Sequence, residues 1–361
     1  MTDPIRQACR YDLAFPFHGP ESATGRLDAI ARYIDEAGLG RDFYAAGTGG
    51  ERLERRVADL FGFEAALWCP TGTMAQAIAL RIHGARTGRT EFLAHPSSHL
   101  LVHEEDGYRH AAGFTARVTP SWSGLVEASD LVPDLACAFV ELPQRHNGGR
   151  LPDREALDAI KRTAAELGVP LHLDGARIWT CRPFYGVSDY RDIVAGFDSV
   201  YVSLYKDIGA IGGAVLLGTA DFIAEARTWR TRLGGLMVEP WPMIADALRL
   251  LDIRLDQFDG FVHRARQLAA LVPPAPGVAL LPDMPHVNMF HLCLDMPVER
   301  ALSLRDAVAR DTGVWLGSRF WNHADPDRSD LEITVGETAM QMPDAVFEDA
   351  VHDLLRRMAS D

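Results

Sequence analysis

The chain has 361 residues, of which 47% are hydrophobic and 24% charged, and its formal net charge at pH 7 is -14. This acidic balance disfavours nucleic acids and anionic membrane surfaces as partners, because both require clustered cations. There is no basic and apolar leader, no bilayer-length apolar run and no C-x-x-C pair among five scattered cysteines, so we expect a cytoplasmic protein without disulfides or bound metal.

Residues 1–25 predict an irregular arm, because prolines and a glycine interrupt any periodicity. Helices are predicted over about 27–37 and from about 51, with a glycine-rich loop between them. Short apolar strands then alternate with helices up to residue 240; the strand sequences are AALWC, TEFLA, ACAFVEL, VPLHLD and SVYVSL. This alternation predicts a large α/β domain over residues 26–240, with a mostly parallel sheet flanked by helices.

The remainder, residues 241–361, predicts one long helical passage followed by a smaller α+β C-terminal domain. Within the large domain, DREALDAIKRTAAELG has a single apolar stripe, so Lys161 is expected on its solvated face.

Lys206 is the most unusual cation of the sequence. Of 36 lysines and arginines only Lys161 and Lys206 are lysines, and Lys206 follows the strand SVYVSL and precedes the apolar GAIGGAVLLG. An ammonium group is costly to bury, so a lysine in this context indicates a functional amine rather than a surface one.

Two other strand ends carry polar residues where α/β sheets bind ligands. In WCPTGTMAQ, Gly72 and Thr73 open a helix whose N-terminus suits a phosphate, although a threonine there is equally an ordinary cap. In LHLDGARIW, Asp174 ends a strand with Arg177 three residues later, and a structural ion pair would also account for both. A phosphate cradle, an acid and a lysine at successive strand ends are what pyridoxal 5′-phosphate (PLP) requires.

These residues lie in stretches that resemble the threonine aldolase and β-eliminating lyase family of fold type I PLP enzymes. The matching stretches, in the family's order, are RDFYAAGTGGERLE, CPTGTMAQ, SSHLLVHEEDG, ELPQRHNGGRLP, HLDGARIW, YKDIGAIGGAVLLG and RTRLGG. The resemblance implies an aspartate aminotransferase-like fold, a homodimer or homotetramer, and a small amino-acid substrate.

The resemblance also implies individual roles. Lys206 forms the Schiff base with the cofactor, Asp174 pairs with its ring nitrogen, Arg177 lies near its ring hydroxyl, and Gly72 and Thr73 hold its phosphate. Further roles are implied for five more residues. His99 stacks on the cofactor ring, and Glu104 is the acidic residue that follows this histidine in the sequence. His146 lies near the substrate hydroxyl, Ser203 contacts the cofactor and Tyr44 contacts the substrate.

Four positions depart from the family pattern. Tyr205 precedes the lysine where serine is usual, Asp207 follows it in place of glycine, and Val238 replaces an arginine. Glu332, in LEITVGE, aligns with the arginine that would bind the substrate's α-carboxylate. We therefore expect another cation to take that role, Arg319 first and Arg232 second, although either would also fit a surface ion pair.

The predicted activity is cleavage of the Cα–Cβ bond of a β-hydroxy-α-amino acid to glycine and an aldehyde, with His99 or His146 as the base and Asp174 and Lys206 as catalytic partners. The alternatives are β-elimination to a keto acid and ammonia, or a PLP-binding homologue without catalysis. A nucleotide-binding protein is disfavoured because no GxGxxG follows the first strand.

Overall fold

The computed structural model describes residues 3–14, 18, 21–317, 320–322 and 326–360. The chain divides into two compact units, the large unit with Glu21–Gln144 and Leu151–Asp256, and the small unit with Met1–Pro20, Arg145–Arg150 and Gln257–Asp361.

The large unit is built on a seven-stranded sheet of order β2-β8-β7-β6-β5-β3-β4. Its strands are β2 (Ala65–Cys69), β3 (Glu91–Ala94), β4 (Thr115–Val118), β5 (Cys137–Glu141), β6 (Leu171–Gly175), β7 (Ser199–Ser203) and β8 (Ala214–Gly218). Strand β8 is antiparallel to both of its neighbours, whereas the pairings from β7 across to β4 are parallel. The predicted mostly parallel sheet is thereby confirmed.

Helices accompany this sheet along the chain. They are α2 (Ala23–Ala37), α3 (Thr48–Phe61), α4 (Gly72–Thr87), α5 (His99–Val102), α6 (Gly107–His110), α7 (Arg154–Leu167), α8 (Arg182–Tyr185), α9 (Arg191–Val194), α10 (Ala220–Arg232) and α11 (Trp241–Arg254). A core cluster of Leu67, Ile78, Tyr201, Leu216 and Phe222 joins α4 and α10 to the sheet. Burial of these apolar side chains is the main force that holds helix against sheet.

The small unit contains a four-stranded antiparallel sheet of order β12-β13-β10-β9 and a two-stranded parallel pair, β1-β11. Its strands are β1 (Tyr11–Asp12), β9 (Val278–Leu281), β10 (Met289–Leu294), β11 (Val314–Trp315), β12 (Phe320–Asn322) and β13 (Ser329–Thr334). Its helices are α1 (Pro4–Ala8), α12 (Phe258–Ala270), α13 (Val298–Thr312), α14 (Glu337–Met340) and α15 (Asp344–Ala359).

Three local expectations differ from the structure. The arm predicted as irregular contains α1 and β1, with Asp3 capping α1. The single helical passage predicted after residue 240 is two helices separated at 255–257, and α11 packs on α2 and α3 of the large unit. Lys161 is only partly exposed, because its Nζ donates to the Ile193 carbonyl at 2.8 Å, and burial lowers its pKa to about 8.

None of the helices in the described residues is long and apolar enough to cross a bilayer.

Candidate active site

The carboxyl ends of β5, β6 and β7 lie side by side in the large unit. Glu141 is in register with Asp174, and Asp174 with Tyr201. Ligands of open α/β sheets bind at such an edge, so the acid predicted from LHLDGARIW is at the expected place.

Asp174 is buried and each carboxylate oxygen accepts a hydrogen bond. The Ala176 N–H donates to Oδ1 at 3.1 Å, and Nε2 of the buried Gln76 donates to Oδ2 at 3.0 Å. Hydrogen bonds of this kind favour the charged carboxylate and fix its orientation. Gln76 was not singled out by the sequence, since a glutamine inside a helix gives no local sign of its partner.

Lys206 lies in the tight connection between β7 and β8. Its side chain is buried, its N–H donates to Ser203 Oγ at 3.3 Å, and its Nζ lies 6.0 Å from the centre of the Tyr205 ring. Leu204 N donates to the Gly213 carbonyl at 3.1 Å and thus closes the connection. Gly213 has φ of +95°, a conformation that side chains rarely adopt, which explains a glycine at this position.

The helix predicted to hold a phosphate begins as expected, at Gly72, but the capping residue is Thr71. Thr71 Oγ1 accepts from Met74 N at 3.2 Å, and Gly72 and Thr73 are the first two helical residues. N–H groups in the first turn of a helix have no intrahelical acceptor and attract anions. Thr71 is therefore the ordinary helix cap. Thr73 does not have that role, and its side chain is exposed.

A buried tyrosine lies directly beneath this turn. A Cβ on Gly72 would be 2.1 Å from the Tyr201 hydroxyl, so the position requires glycine. Burial raises the pKa of Tyr201 well above its usual value, and the neighbouring Tyr205 and Asp174 raise it further. Tyr205, which departs from the family pattern, is thus an electrostatic neighbour of Tyr201. Tyr201 is therefore a buried neutral hydroxyl on β7, beneath the start of α4.

Arg177 is buried just beyond β6, at the start of a short 3₁₀ turn over Ile178–Thr180. In the same turn Trp179 Nε1 donates to the Ser203 carbonyl at 3.0 Å, which ties the ends of β6 and β7 together. Asp207, another departure, is fully buried and contributes to raising the pKa of the Cys181 thiol, for which burial is the main cause.

His99 and Glu104 form a hydrogen bond of 2.9 Å between Nδ1 and Oε1. The histidine side chain is 28% exposed and the glutamate side chain 4%, so one end of the pair reaches solvent. A carboxylate only accepts hydrogen bonds, so the proton of a neutral His99 lies on Nδ1, and Nε2 is left as the acceptor.

His146 falls in the small unit, in a 3₁₀ turn over Arg145–Asn147, and is buried. In the same unit Arg145 and Glu332 form a buried, bidentate ion pair, with Nε to Oε2 at 2.7 Å and Nη2 to Oε1 at 2.8 Å. The carboxylate that departs from the family pattern thus has a cationic partner. Sequence reasoning missed Arg145, although a glutamate within the apolar strand LEITV calls for a counter-charge.

The predicted substrate contacts are placed as follows. Tyr44 is half-exposed with φ of +57°, and its N–H donates to the carbonyl of Val238 at 2.8 Å. Arg232 is exposed, stacks on Trp229 at 4.8 Å, and makes no ion pair with any residue that the structure describes. Arg319 lies outside the described residues.

The large unit therefore offers the groups that PLP needs. It has a buried amine at Lys206, a buried and oriented carboxylate at Asp174, and at Gly72 the N-terminus of helix α4. Gln76 Oε1 is a buried acceptor without a hydrogen bond to the described residues. The donor set fits the cofactor that the sequence predicted.

The chain is similar to known proteins over most of its length. Residues 21–294 match the family model described as beta-eliminating lyase. The low-specificity L-threonine aldolase 1 of Arabidopsis thaliana is 27% identical over 76% of this chain and 80% of its own length. The low-specificity L-threonine aldolase of Saccharomyces cerevisiae is 32% identical over 55% of this chain and 54% of its own.

Two solved structures are similar over nearly the whole chain. A protein of Listeria monocytogenes proposed to be an L-allo-threonine aldolase has a TM-score of 0.89 and 32% identity, covering 98% of this chain and 97% of that one. A protein of Exiguobacterium sp. 255-15, proposed to be an aromatic amino acid beta-eliminating lyase/threonine aldolase, has a TM-score of 0.89 and 31% identity, covering 98% and 99%.

Proposed function

Because the chain belongs to the beta-eliminating lyase family, as the match over residues 21–294 shows, we propose that it cleaves threonine or a related β-hydroxy-α-amino acid to glycine and an aldehyde. The observation that carries this proposal is the pairing of a buried lysine and a hydrogen-bonded buried aspartate at neighbouring strand ends, in a chain whose relatives are named L-threonine aldolases.

The proposed cofactor is PLP, held as a Schiff base by Lys206. When bound, PLP supplies an electron sink for the charge left on Cα when the Cα–Cβ bond breaks. Asp174, oriented by Gln76 and Ala176, keeps the proton on the ring nitrogen, and the start of α4 at Gly72 holds the phosphate. Ser203 and Arg177 complete the proposed contacts.

The proton of the substrate's β-hydroxyl requires a base. His99 is one candidate, because Glu104 fixes its tautomer with Nε2 as the acceptor. His146 is the second, in the 3₁₀ turn over Arg145–Asn147. For the substrate's carboxylate we propose Arg319 or Arg232, with Tyr44 as a further contact.

Labelling the lysines tests the cofactor assignment sharply, because the chain has only two of them. Purified protein with PLP is reduced with borohydride and digested, and the phosphopyridoxyl group is located by mass spectrometry. We expect the label on Lys206, a violet absorption band in wild type and in the matched control Lys161→Arg, and neither label nor band in Lys206→Arg. A label on Lys161 alone would refute the assignment.

Product analysis tests the reaction. Wild-type holoenzyme given L-threonine or L-allo-threonine is expected to release glycine and acetaldehyde in equal amounts. The name of the Exiguobacterium structure favours β-elimination as a second candidate function. A keto acid and ammonia from an aromatic amino acid, without aldehyde from threonine, would decide for it.

We also propose a homodimer or homotetramer in the cytoplasm. One exposed apolar patch consists of Phe43, Tyr44 and Val238, which are 49%, 50% and 56% exposed and lie in two loops joined by a backbone hydrogen bond. Such a patch is suited to contact with a second copy of the chain. The free cysteines fit a reducing compartment. Light scattering on the holoenzyme tests the assembly, and a monomer would contradict it.

A further inference from the structure

The Arg145–Glu332 pair has the geometry of a rigid connector. Both guanidinium-to-carboxylate bonds are short, and the side chains are 7% and 4% exposed. A bidentate pair fixes orientation as well as distance, and solvent does not screen it when it is buried. Glu332 stands in the middle of β13, which pairs with β10 along its whole length.

The same turn also packs closely against the small-unit sheet at two glycines. Gly148 and Gly149 have φ of +67° and +75°. A Cβ on Gly148 would be 1.9 Å from the Leu281 carbonyl oxygen of β9, and one on Gly149 would be 2.5 Å from Met289 Cγ of β10. The backbone after His146 therefore lies directly on the sheet, at a distance that only glycine permits.

His146 lies between these two attachments, one residue after Arg145 and two before Gly148. Its neighbours leave the turn little freedom. Arg145 is bonded to Glu332 of β13 and the glycines lie against β9 and β10, so the sheet limits where the imidazole can be placed.

From this arrangement we infer that the Arg145–Glu332 pair is a positioning device for His146. Glu332 does not bind substrate; it holds Arg145, and through Arg145 it holds the turn that carries the base. In the family pattern the residue at this position would bind the substrate. In this chain Glu332 supports the turn instead. This inference rests on the proposed function for the role of His146.

Hydrogen exchange measures the positioning without reference to activity. In wild-type holoenzyme we expect slow amide exchange in the peptide covering 145–150. Glu332→Gln, which keeps the shape but removes the charge, should speed that exchange about tenfold or more. The control Asp344→Asn removes the ion pair with Arg264 in the same unit and should leave the 145–150 peptide unchanged. Unchanged exchange in Glu332→Gln would overturn the inference.

A double-mutant cycle links the pair to His146. If Glu332 acts through His146, Glu332→Gln should lower kcat for threonine cleavage about 10- to 100-fold with KM changed less than about twofold, and should lower it no further in a His146→Ala background. Additive losses would overturn the inference, as would a rise in KM at constant kcat, which would indicate direct contact with substrate.

The reversed pair Arg145→Glu/Glu332→Arg guards against a trivial folding defect. The reversed pair should restore slow amide exchange in the 145–150 peptide and part of kcat. If both single variants fold and the reversed pair restores neither the slow exchange nor any of kcat, or only one of the two, the result counts against the inference. Full activity of His146→Ala would instead refute the role given to that histidine under the proposed function, whatever the exchange data show.

Discussion

Gln76 donates a hydrogen bond of 3.0 Å from Nε2 to Oδ2 of Asp174, and both side chains are buried. A hydrogen bond to a charged group contributes about 1.5–3 kcal/mol, so its loss should matter for whatever Asp174 binds. We expect Gln76→Leu to weaken PLP binding about tenfold, and Gln76→Glu to weaken it more by placing a like charge beside Asp174.

Absorbance titration of the cofactor-free protein with PLP measures this effect. Gln267→Leu is the control, because Gln267 is exposed and its amide is hydrogen-bonded to two side chains of its own helix, His263 at 3.1 Å and Arg264 at 3.4 Å. Wild-type affinity in both Gln76 variants would show that Asp174 does not depend on this bond.

Gly72 should tolerate no side chain. In Gly72→Ala the new Cβ would meet the Tyr201 hydroxyl at 2.1 Å, and buried Tyr201 has little room to yield. We expect a destabilisation of about 1–3 kcal/mol and a loss of PLP affinity, measured by urea unfolding and by titration. Gly107→Ala, where a Cβ meets nothing within 4 Å, is the matched control. Equal stability of the two variants would contradict the close contact.

Glu104 should affect the rate through His99. Removing its carboxylate in Glu104→Ala frees the His99 ring to rotate and to change tautomer, since the 2.9 Å bond to Nδ1 is lost. We expect kcat to fall about tenfold, part of the roughly 10²–10⁴-fold that a positioned acid or base contributes. The neighbouring Glu105, exposed, serves as the control through Glu105→Ala. Equal rates in both variants would leave His99 without a supported role.

Stability should depend on pH through a buried histidine pair. Ser199 Oγ lies 2.7 Å from His83 Nε2 and 2.7 Å from His172 Nδ1. Burial lowers the pKa of His83 from 6.5 to about 4 and that of His172 well below 6.5. The unfolded chain therefore binds more protons below pH 6.5, so stability is constant above that pH and falls as the pH drops towards 4.

The expected loss from His83 alone is about 3 kcal/mol between pH 6.5 and pH 4. Urea unfolding at pH 7.5, 5.5 and 4.5 measures it, and His83→Gln should show a shallower decline than wild type. The exposed His110 provides the control, since His110→Gln should keep the wild-type slope. Parallel curves for wild type and His83→Gln would exclude His83 as a source of the decline.

Site residues that directly follow or end an apolar strand could be predicted from the sequence. Lys206 stood out because the chain uses arginine almost everywhere, and Asp174 because it ends an apolar strand. Gln76 could not be predicted, because its partner lies 98 positions away and a glutamine in a helix has no local constraint. The break between α11 and α12 was missed because no proline or glycine occurs at residues 255–257.

The hydrogen bonds between Arg145 and Glu332 join residues 187 positions apart. During synthesis Glu332 leaves the ribosome long after the RHNGGR segment, which contains Arg145. This segment can therefore reach its final conformation only after most of the C-terminal sequence has been made. Contacts so distant in sequence are slow to form, because a long loop must close first. A fragment beginning at Gln257 would lack Arg145 altogether and would bury an uncompensated carboxylate, so the small unit cannot be excised as one continuous piece of chain.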